Sequence, residues 1–150
     1  MRVSALAALA FLAGCSAGVE VLPFARVAAC FRVEQPMERV FRSAQEWEDF
    51  HRSAALRPAD PPPAVDFAQK MVVARFDGGG SACVGFTIEA VEVDGDAVTV
   101  QATRHTSPGP CILILAYPQV VLEVPRRDLP VAFRIRDVQS DPPAETRPCL

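Results

Sequence analysis

Cys83 and His105 are the only suggestive pairing for covalent chemistry in this chain. A cysteine nucleophile acts as the thiolate, needs an imidazole to take its proton, and needs a third group to orient that imidazole. A hairpin joining the two segments would bring Cys83 and His105 near one another. The competing reading is a disulfide cysteine beside an exposed histidine. Metal chemistry has less to work with: His51 and His105 are the only histidines, they are far apart, and no cysteines show metal-ligand spacing. His51 is expected at the edge of a helix face, beside Trp47. Asp77-Gly78-Gly79-Gly80-Ser81 has the glycines of a phosphate cradle without the Gly-Lys-Ser/Thr that leads into a helix, so it reads as an inter-strand loop. Asp94 and Asp96 flank a turn glycine, with too few oxygen ligands for an EF-hand loop. Asp66 reads as a capping or turn residue, and no Gly-x-Ser-x-Gly elbow is present. The expectation is no catalytic, cofactor or metal site. The alternative is a thiol-dependent enzyme using Cys83 and His105.

Any such group must be held by a folded domain. The 150 residues are half hydrophobic with a formal net charge of −3, enough for one domain with a real core. Arginines are scattered singly and Lys70 is the lone lysine. Nucleic-acid binding needs clustered cations that track phosphates, so it is not expected. Arg26 to Val33 alternates, with Val27, Ala29, Phe31 and Val33 on one side, and predicts a half-buried strand. Val40-Phe41 adds a short one. Ser43-Ala44-Gln45-Glu46 is a capping-box pattern, followed by Trp47, Phe50 and Ala54 at helical spacing. The spacing predicts a helix over Ala44 to Leu56, stopped by Pro58 and Pro61-Pro62-Pro63. Lys70 to Phe76, Val84 to Val93, Ala97 to Arg104, Gln119 to Val124 and Val131 to Ile135 read as strands, and Cys111 to Leu115 as a buried one. Tyr117-Pro118 interrupts two apolar runs, which implies an edge, a bend or a bulge. Gln139 to Leu150 is polar and Pro-rich, a loose tail unless Cys149 ties it down. The fold class is α+β: a mostly antiparallel sheet, as a partial barrel or sandwich, with one packed helix.

The hairpin around Asp94-Gly95-Asp96 has a testable register. A three-residue loop, Asp94 to Asp96, puts Val98 and Val100 on the face of Phe86, Ile88 and Ala90. It sets Glu89 beside Gln101 and Thr87 beside Thr103 on the wet face. That register leaves Cys83 close to Ser107, and Cys111 follows a short Ser-Pro-Gly-Pro turn at the same end. Cys83–Cys111 is therefore the preferred disulfide, leaving Cys30 with Cys149.

Leu12-Ala13-Gly14-Cys15 ends a short apolar run that begins just after Met1 and Arg2. The pattern resembles a bacterial lipoprotein signal peptide with its lipobox. The resemblance implies cleavage before Cys15, lipid on that cysteine, and Ser16 favouring outer-membrane sorting in a Gram-negative cell. Val3 to Ala13 is too short to span a bilayer, which takes ~20 apolar residues. Two or three acyl chains on Cys15 would anchor the protein stably. The expected organisation is a signal peptide over 1–14, an anchor and tether over 15–25, one domain over 26–138 and the tail over 139–150. With Cys15 set aside, four cysteines remain of the five, and in an exported chain they read as two disulfides.

Further residues carry a second likeness. Trp47 and Phe50 lie on a short helix, and Pro63-Ala64-Val65-Asp66-Phe67 is followed by Met71-Val72-Val73. A glycine-rich turn leads into Gly85-Phe86-Thr87-Ile88, and Tyr117-Pro118 precedes Val120-Val121-Leu122-Glu123-Val124-Pro125. From Phe41 to Pro125 this resembles the C-terminal domain of the protease complex subunit PrcB family. Where that family often pairs glycines before an aromatic, Cys83-Val84-Gly85-Phe86 carries one. The resemblance implies a small accessory or binding module without catalysis, with an envelope protein such as a protease as partner. If the Tyr117-Pro118 strand is an edge, Tyr117, Pro118 and Val121 are the expected partner-binding residues, through strand addition. A structural envelope lipoprotein without a dedicated partner is the remaining alternative.

Overall fold

The computed structural model describes residues 18–111, 114–146 and Cys149; Cys15 and the lipobox lie outside the described residues. The fold is α+β, with one α-helix and mostly antiparallel strands in two four-stranded sheets. The first sheet orders β1 (Glu20–Val21), β6 (Val84–Asp94), β7 (Ala97–Thr106) and β10 (Val131–Gln139). The second orders β2 (Ala25–Arg26), β9 (Gln119–Pro125), β4 (Lys70–Phe76) and β3 (Met37–Phe41). A small ribbon pairs β5 (Gly80–Ser81) with β8 (Leu115–Ala116). β10 runs parallel to β7, because the chain crosses to the second sheet through β9 before returning.

The second sheet is the middle layer, and its sequence shows why. Strand side chains alternate between faces, and in β4 and β9 both faces are apolar. Met71, Val73, Val120, Leu122 and Val124 pack with Phe86, Val91, Val98 and Val100 of the first sheet. Val72, Ala74, Phe76 and Val121 point the other way, onto Phe31, Phe41, Trp47 and Phe50. Strands covered on both sides read as continuous hydrophobic runs rather than as alternation. The helix α1 (Ala44–Ala54) supplies the third layer. Its N-cap is Ser43, whose Oγ accepts from the Glu46 amide at 3.3 Å, while Glu46 Oε2 accepts from the Arg42 amide at 2.9 Å. Trp47 and Phe50 are buried as expected, and Trp47 Nε1 donates to the Pro63 carbonyl at 3.0 Å. The helix stops two residues short of Leu56 because Ala55 turns extended and bridges Phe31. Phe31 is the hub of this layer, with ring centroids 5.4 Å from Trp47, 5.0 Å from Phe50 and 5.9 Å from Phe76.

Several expectations are corrected by this arrangement. Arg26 to Val33 buries Phe31 and Val33 as the alternation implies, but only Ala25–Arg26 is strand; the rest is irregular extended chain. The hairpin turns in two residues, Gly95-Asp96, so Asp94 opposes Ala97. Gly95 has φ 65°, the sign that a type II′ turn demands at its first central position. Thr87 does oppose Thr103, but a register shift between Ile88 and Ala90 puts Ala90, not Glu89, opposite Gln101. The apolar positions of β6 change parity at Glu89, and a bulge is the device that lets Phe86, Ile88, Val91 and Val93 all face inward. Val98 and Val100 then oppose Val93 and Val91. Arg104, opposite Phe86, is held there by Asp77 at 3.0 Å and Asp137 at 2.6 Å. Its pKa is raised, chiefly by the hydrogen bond to Asp77. The run at Cys111 is not buried strand where it is described: Ile114 and Leu115 are exposed, and of the two only Leu115 pairs, with Ser81 of β5. Upstream of Arg26, Glu20–Val21 pairs with β6 and Leu22 is buried in the core.

Candidate functional site

Both expected disulfides are present. Cys83 and Cys111 are bonded with Cα atoms 5.9 Å apart, and Cys30 and Cys149 with Cα atoms 5.6 Å apart. The hairpin does place the Ser107 amide on the Cys83 carbonyl at 3.0 Å, as its register required. Cys83 therefore has its sulfur committed. His105 is committed too: Nε2 lies 2.8 Å from Thr87 Oγ1 and Nδ1 lies 2.8 Å from Ser140 Oγ. A thiol paired with that imidazole is not assembled here. Among the described residues, no group of three or more His, Cys, Asp or Glu converges as a metal ion would need.

The expected partner-binding strand is not an edge. β9 has β4 along one side and β2 along the other, and beyond β2 the Val27 amide donates to the Val121 carbonyl at 2.9 Å. Tyr117 and Val121 are each 5% exposed and Pro118 is buried. The Tyr117 amide donates to the Cys149 carbonyl at 3.0 Å, and its hydroxyl reaches Glu34 Oε1 at 3.4 Å. Tyr117, Pro118 and Val121 thus hold the interior and the tail, and are not open to strand addition. The physical reason is that a two-residue strand is enough to cover an edge, yet too short to leave a periodic signal in sequence.

A groove of about 610 Å³ opens instead between the Arg26–Cys30 segment, the end of α1 and the C-terminal tail. Val27, Ala29, Ala55, Leu56 and Val121 give it apolar walls. The Cys30–Cys149 disulfide closes one side and fixes the tail against it. The described part of the tail is therefore not loose: Thr146 is buried, and the space above Gly85 is filled by Pro142 and Thr146. His51 lines the groove at 6% exposure, with its ring edge-on to Phe31 at 5.9 Å. Arg57 and Asp60 stand on the exposed rim. Arg26 donates to the Phe86 carbonyl at 2.5 Å; burial lowers its pKa and the nearby Glu145 opposes that shift. Sequence reasoning set His51 at the helix edge. It could not find the groove, because the groove's banks are brought together from residues more than a hundred positions apart.

Comparisons of this chain with protein-family models, with curated proteins and with solved structures found no match.

Proposed function

We propose that this protein is exported, anchored in the cell envelope by lipid on Cys15, and acts without catalysis of its own as a binding or accessory module for another protein. The pairing of Cys30 with Cys149 and of Cys83 with Cys111 carries the reading. It uses every cysteine after Cys15 and so leaves the lipobox cysteine as the odd one of five. Paired cysteines in a domain of this size belong to an oxidising compartment, which agrees with a leader ending in Leu12-Ala13-Gly14-Cys15. The PrcB resemblance supports an envelope protease as the class of partner, and outer-membrane residence follows from Ser16 under the same lipoprotein likeness.

Two measurements test this. Intact-mass analysis of the membrane fraction should find the chain beginning at Cys15 with acyl groups attached, and Cys15→Ala should release the protein from membranes. An unlipidated soluble mature form of the wild type would reject the anchor. Crosslinking and pull-down from native membranes should return a stoichiometric protein partner. Its absence, together with an enzymatic activity abolished by Cys83→Ser, would overturn the binding role.

A further inference from the structure

The groove beside His51 has a property that a packing role does not explain. His51 is almost wholly withdrawn from solvent, and its ring makes edge contacts with Phe31 and Trp47, at centroid distances of 5.9 and 6.5 Å. Among the described residues, no group hydrogen-bonds its imidazole nitrogens. A polar group buried without a partner is destabilising. No fully buried side-chain nitrogen or oxygen lacks a hydrogen bond among the described residues, so the polar edge of His51 is turned to the groove it lines. His105 offers the contrast within one molecule, with both nitrogens satisfied by hydroxyls. A phenylalanine or leucine at position 51 would fill the same space beside Phe31 and Trp47 with no nitrogen to satisfy.

We propose that this groove binds a short peptide segment of the partner protein, with an apolar side chain against its walls and an acceptor oxygen on the His51 imidazole. The inference rests on the binding-module reading and names what that module would grip. The groove's volume, about 610 Å³, falls within the ~300–1,000 Å³ typical of ligand pockets. Its chemistry selects among ligands. A nucleotide would need a rim of one sign, whereas Arg57 and Asp60 place both signs there. A sugar would favour an aromatic platform, and among the described residues His51 is the one aromatic ring lining the groove. An acyl chain would favour an unbroken apolar channel, which Gln119 and the charged rim interrupt. A polypeptide offers apolar side chains, carbonyls and flanking charges together. The banks are also preorganised. The Phe31–Ala55 bridge holds one and the Cys30–Cys149 disulfide the other, which reduces the ordering entropy lost on binding.

The test is selection of phage-displayed random short peptides on the purified full-length protein with its disulfides intact. Selected sequences are then synthesised and their affinity is measured by calorimetry. The expected result is a related set of peptides that shift the His51 imidazole resonances in NMR spectra. Their affinity should fall about tenfold in His51→Phe, the loss expected when one partner of a buried hydrogen bond is removed. Arg57→Glu, at an exposed site that does not bear on folding, should change the preference for flanking charge in the bound peptides. Circular dichroism checks that both variants fold. Failure to select any peptide would overturn the site, as would selected peptides that bind both variants with wild-type affinity. Pull-down with the double variant separates the two levels. A native partner retained at wild-type yield would refute the groove and leave the binding role intact, whereas a partner lost only with the double variant supports both.

Discussion

Removing the two disulfides one at a time should destabilise the protein unequally, and chain statistics set the order. A cross-link restricts the unfolded chain by an amount that grows with the logarithm of the loop it closes. The Cys30–Cys149 bond spans 119 residues and the Cys83–Cys111 bond spans 28. The loop-closure relation gives about 4.9 kcal/mol for the longer loop and about 3.6 kcal/mol for the shorter. The bridges are nested, so the inner one lets the unfolded chain bypass its own loop and trims the outer figure by about 0.2 kcal/mol. The longer bond should therefore exceed the shorter by about 1 kcal/mol. The assay is urea unfolding of the Cys30→Ala/Cys149→Ala and Cys83→Ala/Cys111→Ala pairs under non-reducing conditions, followed by tryptophan fluorescence. Trp47 is buried at 2% exposure beside Phe31, so its emission reports loss of the helical layer. The dependence on urea should steepen in both variants, because the freed denatured chain exposes more surface. If losing the inner pair destabilises more than losing the outer pair, the entropic argument fails. Native packing around Cys83 would then outweigh loop entropy.

Other perturbations test other joints of the fold. Gly85→Ala places a Cβ 2.6 Å from both Pro142 Cβ and the Thr146 carbonyl; it should destabilise by about 1–3 kcal/mol and expose the tail to limited proteolysis, and an unchanged cleavage pattern would refute the docking of the tail. Phe31→Ala removes the ring shared by Trp47, Phe50, His51 and Phe76 and should cost about 3–5 kcal/mol in urea unfolding. Val121→Lys puts a charge where the native side chain is 5% exposed, so it should abolish the near-ultraviolet dichroism of the folded protein; a folded, soluble variant would restore β9 as an edge strand. Glu46 has its carboxyl held below the usual range, first by the Arg42 amide. A depressed folded-state value adds stability that is present above the unfolded value of ~4.3 and is lost as pH falls through the folded one. Glu46→Gln should flatten the acid limb of stability against pH and leave the neutral region's slope unchanged.

The parts of this architecture that rest on local chemistry were legible in the residues. Ser43 and Glu46 announced the helix start, Trp47 and Phe50 its buried face, and Lys70 to Phe76 a strand. The disulfides followed from cysteine parity and from a hairpin whose base was placed correctly, even though its tip was not. What escaped were features created when distant segments meet. The bulge at Glu89 reconciles two parities within one strand, and either parity alone gives a self-consistent hairpin. β2 is two residues long and carries no period, yet it converts β9 from an edge into an interior strand.

One signal for that interior position was present and carries through to the site. Met71 to Ala74 and Val120 to Leu122 are unbroken apolar runs, and such a run argues cover on both faces. A chain with one helix and many strands can meet that demand only by laying the helix on one face of a sheet and a second sheet on the other. Val121 is then committed to the helical layer, with Phe31 and Trp47, and offers no open strand edge. The same layering sets where the groove lies. The helical layer covers the middle sheet only as far as Ala54, and the irregular chain from Val27 to Cys30 runs along the remaining margin. That margin is left as a groove rather than a filled core. The imidazole of His51, one residue beyond the buried Phe50, is what the helix end presents to it.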